Sequence, residues 1–262
     1  MTTAPSLHLL LPEFQSFLVL VSRIGGIVAA FPMLGGRTVP VQIKIALVVM
    51  LGIVLSPLIH LPPLSQDALE MTAGLMSESL IGLVIGLGVR LLFGALEVAG
   101  DLLGTQIGFG AVQLVDPMTS QHSSLLSEYF RIIASLVFLS VNAHMVVVAA
   151  IVSSYEAIPP FGARLSSALG EEVLQLSQHM FIVALKLSAP VLVAMILLNL
   201  LLAMLGRAVV QINVFVLSFP LTIAGGLLVL GLALPYTVSL FEQEFMGLRD
   251  TIERLLRALG HG

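Results

Sequence analysis

The sequence contains neither cysteine nor tryptophan. Without thiols there are no disulfides, no cysteine nucleophile, no CxxC redox pair and no cysteine-based zinc or iron–sulfur centre. Charge is scarce as well. Only 10% of the 262 residues are Asp, Glu, Lys or Arg, and the formal net charge is -4. The few basic residues are scattered, which argues against nucleic acid as a partner. Lacking Trp and holding three Tyr, the chain has no strong aromatic belt of the sort that seats helices at a membrane surface. That deficit points to main neighbours other than lipid. Met1 to Pro12 carries no Lys or Arg, so no charged leader region is recognisable and the mature protein is expected to begin at Met1. The six histidines, His8, His60, His122, His144, His179 and His261, show no ligand spacing, and no metal or cofactor is expected. Nucleophile-elbow, phosphate-loop and dinucleotide patterns are missing too. Nothing pairs a nucleophile with its base, so catalysis is not expected.

What is present is apolar. Hydrophobic residues make up 58% of the chain and the mean hydropathy is +1.08, the composition of an integral membrane protein. The fold class expected is all-α, built of membrane-associated helical hairpins. Apolar runs long enough to cross about 30 Å of hydrocarbon start at Phe14, after Pro12-Glu13, and stop at Phe31-Pro32. A turn at Gly35 to Pro40 leads into Val41 to Leu55, which completes a hairpin. A long helix is expected from Asp67 to Leu103, tilted or projecting from the bilayer. A fourth runs from Leu125 to Ile158, and a fifth from Ser166 or Ser167 past Pro190 to Leu205. The sixth spans Gln211 to Leu234 and stops at Pro235. In the tail that follows, Phe241, Phe245, Leu248, Ile252, Leu255 and Leu259 recur at helical spacing, so an amphipathic helix lying on the membrane or on a neighbour is expected. The basic residues bias the orientation weakly, toward a cytoplasmic C-terminus.

Between the third and fourth helices, Gly104 to Ser124 is the longest weakly apolar interval inside the greasy part of the chain. Its glycines and amides and the Asp116-Pro117 pair oppose a helix. At membrane depth, backbone without a hydrogen-bond ladder survives only inside protein or along an aqueous cavity. The stretch is therefore a candidate pore or pocket lining.

Five charges, Arg23, Glu78, Arg90, Arg131 and Lys186, fall in or near apolar runs. Each Arg or Lys costs about 2.5 to 3.5 kcal/mol to insert. Glu78 and Arg90 stand about 18 Å apart along one helix, so each needs a partner from another segment or chain. The readings open to Glu78, Arg90, Arg131 and Lys186 are snorkelling, pairing between helices or subunits, and a transported-ion site. Gly74, Gly82, Gly86 and Gly94 share multiples of a four-residue spacing, a stripe that drifts by about 40° per step and winds around its helix. Such a stripe suits a partner that wraps. Gly100, Gly104 and Gly108 carry the small-residue spacing into the central loop, and small residues let backbones approach closely. Asn142 and His144 are a candidate buried polar pair, the alternative being simple hydrogen bonding between helices.

Several motifs carry a family resemblance over nearly the whole length. They are Pro12-Glu13-Phe14, Ser22-Arg23-Ile24-Gly25 with Phe31-Pro32, the Gly36-Arg37-Thr38-Val39-Pro40 turn, and the Asp116-Pro117 loop. The most specific are Gly206-Arg207, Gln211-Ile212-Asn213-Val214-Phe215 and Ser218-Phe219-Pro220-Leu221. With these, the chain resembles the type III export-gate family, whose flagellar members are called FliR and which also serves virulence injectisomes.

The resemblance implies one copy of this chain assembling with several copies of FliP and FliQ, alongside FlhA and FlhB. The place is the bacterial inner membrane, at the centre of the flagellar basal body, with membrane lipid around the assembly and unfolded flagellar subunits as export substrates. It implies a FliP-like part over residues 1–165, a FliQ-like hairpin over 166–235 and an amphipathic tail over 236–262. The plug loop of the family falls on 106–122, through Gln106, Gly108, Phe109, Gly110, Val112, Gln113, Asp116, Pro117, Met118 and His122. Phe215 falls on a channel constriction, and Arg23, Gln211, Asn213 and Pro220 on family-motif positions. A ring of apolar side chains can stop ions by dewetting yet yield to an extended polypeptide. The competing readings are a polytopic secondary transporter with Glu78, Arg90 and Lys186 as a coupled site, and a membrane enzyme.

Overall fold

The protein is described from a computed structural model, over residues 5–35, 39–59, 67–109, 124–163, 166–208 and 214–260. Among the described residues there is no strand, and the chain is all-α. The helices are α1 (Pro5–Ala30), the single turn α2 (Pro32–Gly35), α3 (Val41–Leu55), α4 (Ala68–Ile107), α5 (Leu125–Ser140), α6 (Ala143–Ala157), α7 (Ser167–Ala208), α8 (Val214–Met246) and α9 (Leu248–Gly260). A 3-10 turn, Ser56–Leu58, follows α3. Among the described residues five helices are long and apolar enough to cross a membrane, six if the broken α5–α6 pair is counted as one span.

Several boundaries depart from the sequence expectation. Helix α4 runs on to Ile107, so Gly104, Thr105 and Gln106 are helical although they open the stretch expected to oppose a helix, and α7 continues from Leu205 to Ala208. Helix α1 starts at Pro5 rather than after Pro12; a proline in the first turn lacks an N–H that would be unsatisfied there anyway. The expected single helix from Leu125 to Ile158 is interrupted at Val141–Asn142, where Asn142 takes a left-handed φ of 56°. Asn is among the few residues that visit this region at low cost. Pro235 does not stop the sixth helix, since α8 runs through Pro220 and Pro235 to Met246. Proline persists in apolar membrane helices where neighbouring groups satisfy the freed backbone. Pro190 in α7 shows how: the carbonyl it leaves unbonded, that of Lys186, accepts a long hydrogen bond from the Tyr236 hydroxyl at 3.5 Å. Finally, the tail is not one helix. The apolar stripe expected there is buried throughout, but a break at Gly247 divides it between α8 and α9.

The chain forms two compact units. The first comprises Met1–Leu91, Asn142–Leu176 and Gly247–Gly262, the second Leu92–Val141 and Ser177–Met246. In the first unit α1 packs on α3 and on the start of α4. Val19, Leu20, Ile24 and Ile27 of α1 and Ile81, Ile85 and Val89 of α4 are all buried. Close approach of α1 and α4 depends on Gly26, Gly82 and Gly86: a Cβ on Gly26 or Gly82 would collide with the backbone of the other helix, and one on Gly86 with Ala30 and Ile27. Helix α9 packs on α6, with Leu248, Ile252, Leu255 and Leu259 buried and Leu255 against Gly88 of α4. It lies on a neighbouring helix, one of the two settings its amphipathic pattern allows.

The second unit is centred on aromatic rings. Phe93 of α4, Phe138 of α5 and Phe245 of α8 form a trio with centroids 5.3 to 5.7 Å apart, and Phe130 meets Phe241 at 6.2 Å. Edge-on and tilted contacts of this kind add to the area the rings bury. Outside these cores the apolar surface stays uncovered. Ile196, Leu197, Leu200, Leu228 and Leu232 are among many large exposed side chains, as expected of helices that face lipid or other subunits.

Candidate functional site

Two constellations bring together residues that the sequence marked, one in each unit. In the first unit Arg23 lies in the C-terminal half of α1 and is wholly buried. Its Nε donates to Glu78 Oε2 at 2.6 Å, and Glu78, on α4, is equally buried. Arg23 Nη1 donates to Ser154 Oγ at 2.9 Å, and the Ser154 hydroxyl donates in turn to the Ile151 carbonyl at 2.7 Å. The third nitrogen, Nη2, reaches the Ile158 carbonyl at 3.3 Å. The Tyr155 ring packs under the guanidinium with its centroid 3.7 Å away, a cation–π arrangement.

The second oxygen of Glu78 is also taken: Oε1 accepts the Phe161 backbone N–H at 3.0 Å. Phe161 holds a positive φ of 64°, unusual for an aromatic residue. Its ring fills the space that a Cβ on Gly74 would occupy. Two elements far apart in sequence, α1 and α4, are thereby fixed to the end of α6 and the turn after it. A buried pair is tolerable only with its remaining donors and acceptors satisfied, and here each guanidinium nitrogen and both carboxylate oxygens have partners. Ser22 adds a second polar link between α1 and α4, donating to the Leu75 carbonyl at 2.6 Å and lying 2.8 Å from the Ser79 hydroxyl.

The second constellation stands at the base of the central loop. Ser124 caps α5 by accepting the Ser127 N–H at 3.1 Å, as Ser does at helix starts. Its own N–H donates to Asp101 Oδ1 at 3.2 Å and its hydroxyl to the Gly100 carbonyl at 3.2 Å. The Ser127 hydroxyl bonds the same Asp101 oxygen and the Glu97 carbonyl. On the other side of the loop, the Phe109 N–H donates to the Gly104 carbonyl at 2.9 Å, and Gly108 has a φ of 106°, which disfavours any side chain. The loop thus leaves and rejoins the structure against the last two turns of α4. A Cβ on Gly100 would meet the Ser127 backbone and one on Gly104 the Ser124 side chain.

The other marked residues are placed as follows. Gln106 is exposed in the last turn of α4, and Phe109 is half-buried. Gly110, Val112, Gln113, Asp116, Pro117, Met118 and His122 lie outside the described residues, as do Gln211 and Asn213. Phe215 falls in α8, its side chain outside the described part, and Pro220 is exposed inside α8. Arg90 shares α4 with Glu78 but is exposed, as is Lys186 on α7. The partner of Arg131 in this chain is Glu128, three residues earlier on the same helix. Asn142 and His144 do not form the candidate pair: Asn142 is exposed at the start of α6, and His144 Nδ1 is buried without a hydrogen-bond partner among the described residues. The left-handed turn at Asn142 commits that residue to the helix break.

Residues that composition and motif did not single out complete both constellations. Ser154, Tyr155 and Phe161 serve the first, Glu97, Asp101 and Ser127 the second. Ser124, directly ahead of the apolar run at Leu125, is a helix-start signal for the second. For the first no local signal exists, since Arg23 and Ser154 are 131 residues apart. No group of three or more metal-ligating side chains occurs among the described residues.

Comparison with known proteins covers the region that holds both constellations. The chain is 29% identical over 253 residues to the flagellar biosynthetic protein FliR of Bacillus subtilis (strain 168), spanning 94% of this chain and 96% of that one. It is 28% identical to the protein of the same name from Pectobacterium carotovorum subsp. carotovorum, over 90% of this chain and 91% of the relative. A third relative so named, from Escherichia coli (strain K12), is also 28% identical, over 89% and 91%. Residues 14–248 match the family described as bacterial export proteins, family 1, and the chain, with its apolar helices from α1 to α8, belongs to that family.

Proposed function

We propose that this chain is a component of the flagellar type III protein export gate. In this reading it joins several copies each of FliP and FliQ around the channel for unfolded flagellar subunits, and works with FlhA and FlhB in the inner membrane at the centre of the basal body. The observation that carries the reading is the likeness to proteins named FliR along nearly the full length of both partners. The role is that of a channel component, not an enzyme.

Gln106 to His122 closes the channel, with Phe109 and Val112 sealing it by apolar contact and Gly108 and Gly110 letting the backbone fold inward. Support comes from the base of the loop, where Asp101, Ser124 and Ser127 hold one end and the Gly104 carbonyl the other. Phe215 contributes to an apolar constriction. Residues 1–165 act as the FliP-like part and 166–235 as the FliQ-like hairpin. The large apolar side chains exposed on α7 and α8 would be covered by neighbouring subunits or lipid.

Native mass spectrometry after co-expression with FliP and FliQ tests the assembly. One copy of this chain with several of each partner is expected; a stable particle of this chain alone would overturn the reading. Deleting Gly108 to Met118 should leave that assembly intact and raise the ion conductance of closed complexes. An unchanged conductance would remove the plug assignment while leaving the assembly standing.

A further inference from the structure

Within the first unit, α6 and α9 run side by side and end together, with Gly260 against Ala157 and Ile158. Between them opens a groove of about 530 Å³, inside the usual range of about 300 to 1,000 Å³ for small-ligand sites. Its floor is apolar, from Val146 and Ala149 of α6 and Leu256 of α9, and its rim carries Arg249, Glu253 and Arg257. The rim is not neutral. Arg249 Nε donates to Glu253 Oε1 at 3.0 Å, and Arg257 Nη2 lies 3.5 Å from Glu253 Oε2. Two guanidinium groups converge on a single carboxylate, so the three charged side chains of the rim sum to +1. Their side chains are 77% and 66% exposed, so their remaining donors face outward beside an apolar trough.

We propose that this groove binds an anionic phospholipid, with the phosphate on the outward-facing guanidinium donors of Arg249 and Arg257 that Glu253 does not engage and an acyl chain along Val146 and Ala149. Cationic rim and apolar floor match the two halves of that molecule. A free phosphate would satisfy the arginines but leave the floor in water. By composition lipid is a candidate neighbour, since α6 together with α5 is apolar enough for a span, the two helices being bent by 67° at the break between them. Basic pockets beside membrane helices hold anionic headgroups by this combination of charge and shape. Arg254, on the same helix, is otherwise engaged: its Nε donates to Glu172 at 2.8 Å, and it does not line the groove. This site does not depend on the export reading.

The full-length chain, purified in an uncharged detergent, is titrated with phosphatidylglycerol and separately with phosphatidylcholine of the same acyl chains, and bound lipid is counted by native mass spectrometry. Phosphatidylglycerol is expected to bind more tightly by roughly fivefold for each arginine engaged. Arg249→Gln with Arg257→Gln should bring the two lipids to parity, while Arg254→Gln keeps the preference. Equal binding of both lipids to the unmodified chain, or a preference that survives the double substitution, overturns the proposal. So does displacement of phosphatidylglycerol by millimolar inorganic phosphate, which would mark a simple anion site. Should the double variant not fold, the unmodified chain decides alone. High ionic strength must then erase the advantage of phosphatidylglycerol, and an advantage that salt leaves untouched overturns the site.

Discussion

Arg23 and Glu78 meet at 2.6 Å with both side chains at 0% exposure, and the ion pair they form ties α1 to α4. Removing both charges from water costs several kcal/mol per ion, which their attraction and hydrogen bonds must offset. The pair is accordingly better at enforcing one packing of α1, α4 and the end of α6 than at adding net stability. Replacing one partner, as in Arg23→Met or Glu78→Met, should destabilise the purified chain by about 3 to 5 kcal/mol, because a buried charge is left unpaired. The double Arg23→Met/Glu78→Met chain should recover a large part of that loss. Thermal unfolding in detergent of all four chains, read as a double-mutant cycle, checks this, and additive losses would show that the two residues do not act as a pair.

Neighbouring glycines in α1 should behave oppositely. A Cβ on Gly25 meets nothing within 4 Å, whereas one on Gly26 would collide with the Ser79 carbonyl and the backbone of Gly82 and Leu83. Gly25→Ala is expected to be neutral or stabilising by about 0.5 to 1 kcal/mol, the helix-propensity gain. Gly26→Ala should cost about 1 to 3 kcal/mol through overpacking. Melting temperatures of the isolated chain measure the contrast; equal effects would mean that α1 does not approach α4 at Gly26.

The anchor of the central loop can be released without touching the loop. Asp101 Oδ1 accepts from the Ser124 N–H and the Ser127 hydroxyl, and hydrogen bonds to a charged group are worth about 1.5 to 3 kcal/mol. Asp101→Ala should speed amide exchange at Ser124 to Glu128 by roughly tenfold or more while leaving the core of α8 protected. Hydrogen–deuterium exchange reads both at once. Unaltered exchange at Ser124 would show that capping of α5 alone holds the loop end.

Gly108 should resist substitution for a backbone reason. At a φ of 106° a side chain costs about 1 to 3 kcal/mol, although a Cβ there would find only ordinary contact with Phe219 and Thr222 at 3.9 Å. Gly108→Ala is expected to shift the turn after α4 rather than the core, visible as faster proteolysis between α4 and α5 with little change in melting temperature. A melting temperature lowered as far as in Gly26→Ala would argue instead for a packing role.

By contrast the Arg254–Glu172 pair, half-exposed at the arginine and 2.8 Å long, should matter little. Arg254→Gln is expected to cost about 1 kcal/mol or less, and less still at high ionic strength. Comparing its unfolding with that of Arg23→Met at two salt concentrations separates the exposed pair from the buried one, since only the former is screened.

The sequence by itself determined the all-α class, the six apolar segments and the kinship with the export proteins. These follow from mean hydropathy, run length and short motifs, quantities that depend on each residue and its near neighbours alone. The apolar stripe from Phe241 to Leu259 was legible for the same reason, as was the suitability of the α4 glycines for close backbone approach. Only the tertiary structure decided what those features meet. It set Gly82 against the Arg23 carbonyl and Gly104 against Ser124, and it exposed Arg90 while burying Glu78 on the same helix. It also broke the Phe241–Leu259 stripe at Gly247 and the expected fourth helix at Asn142. A glycine or a charge states what a position permits or requires. Which partner satisfies it depends on segments far apart, 135 residues in the case of Arg23 and Ile158, and distance along the chain carries no trace of that choice.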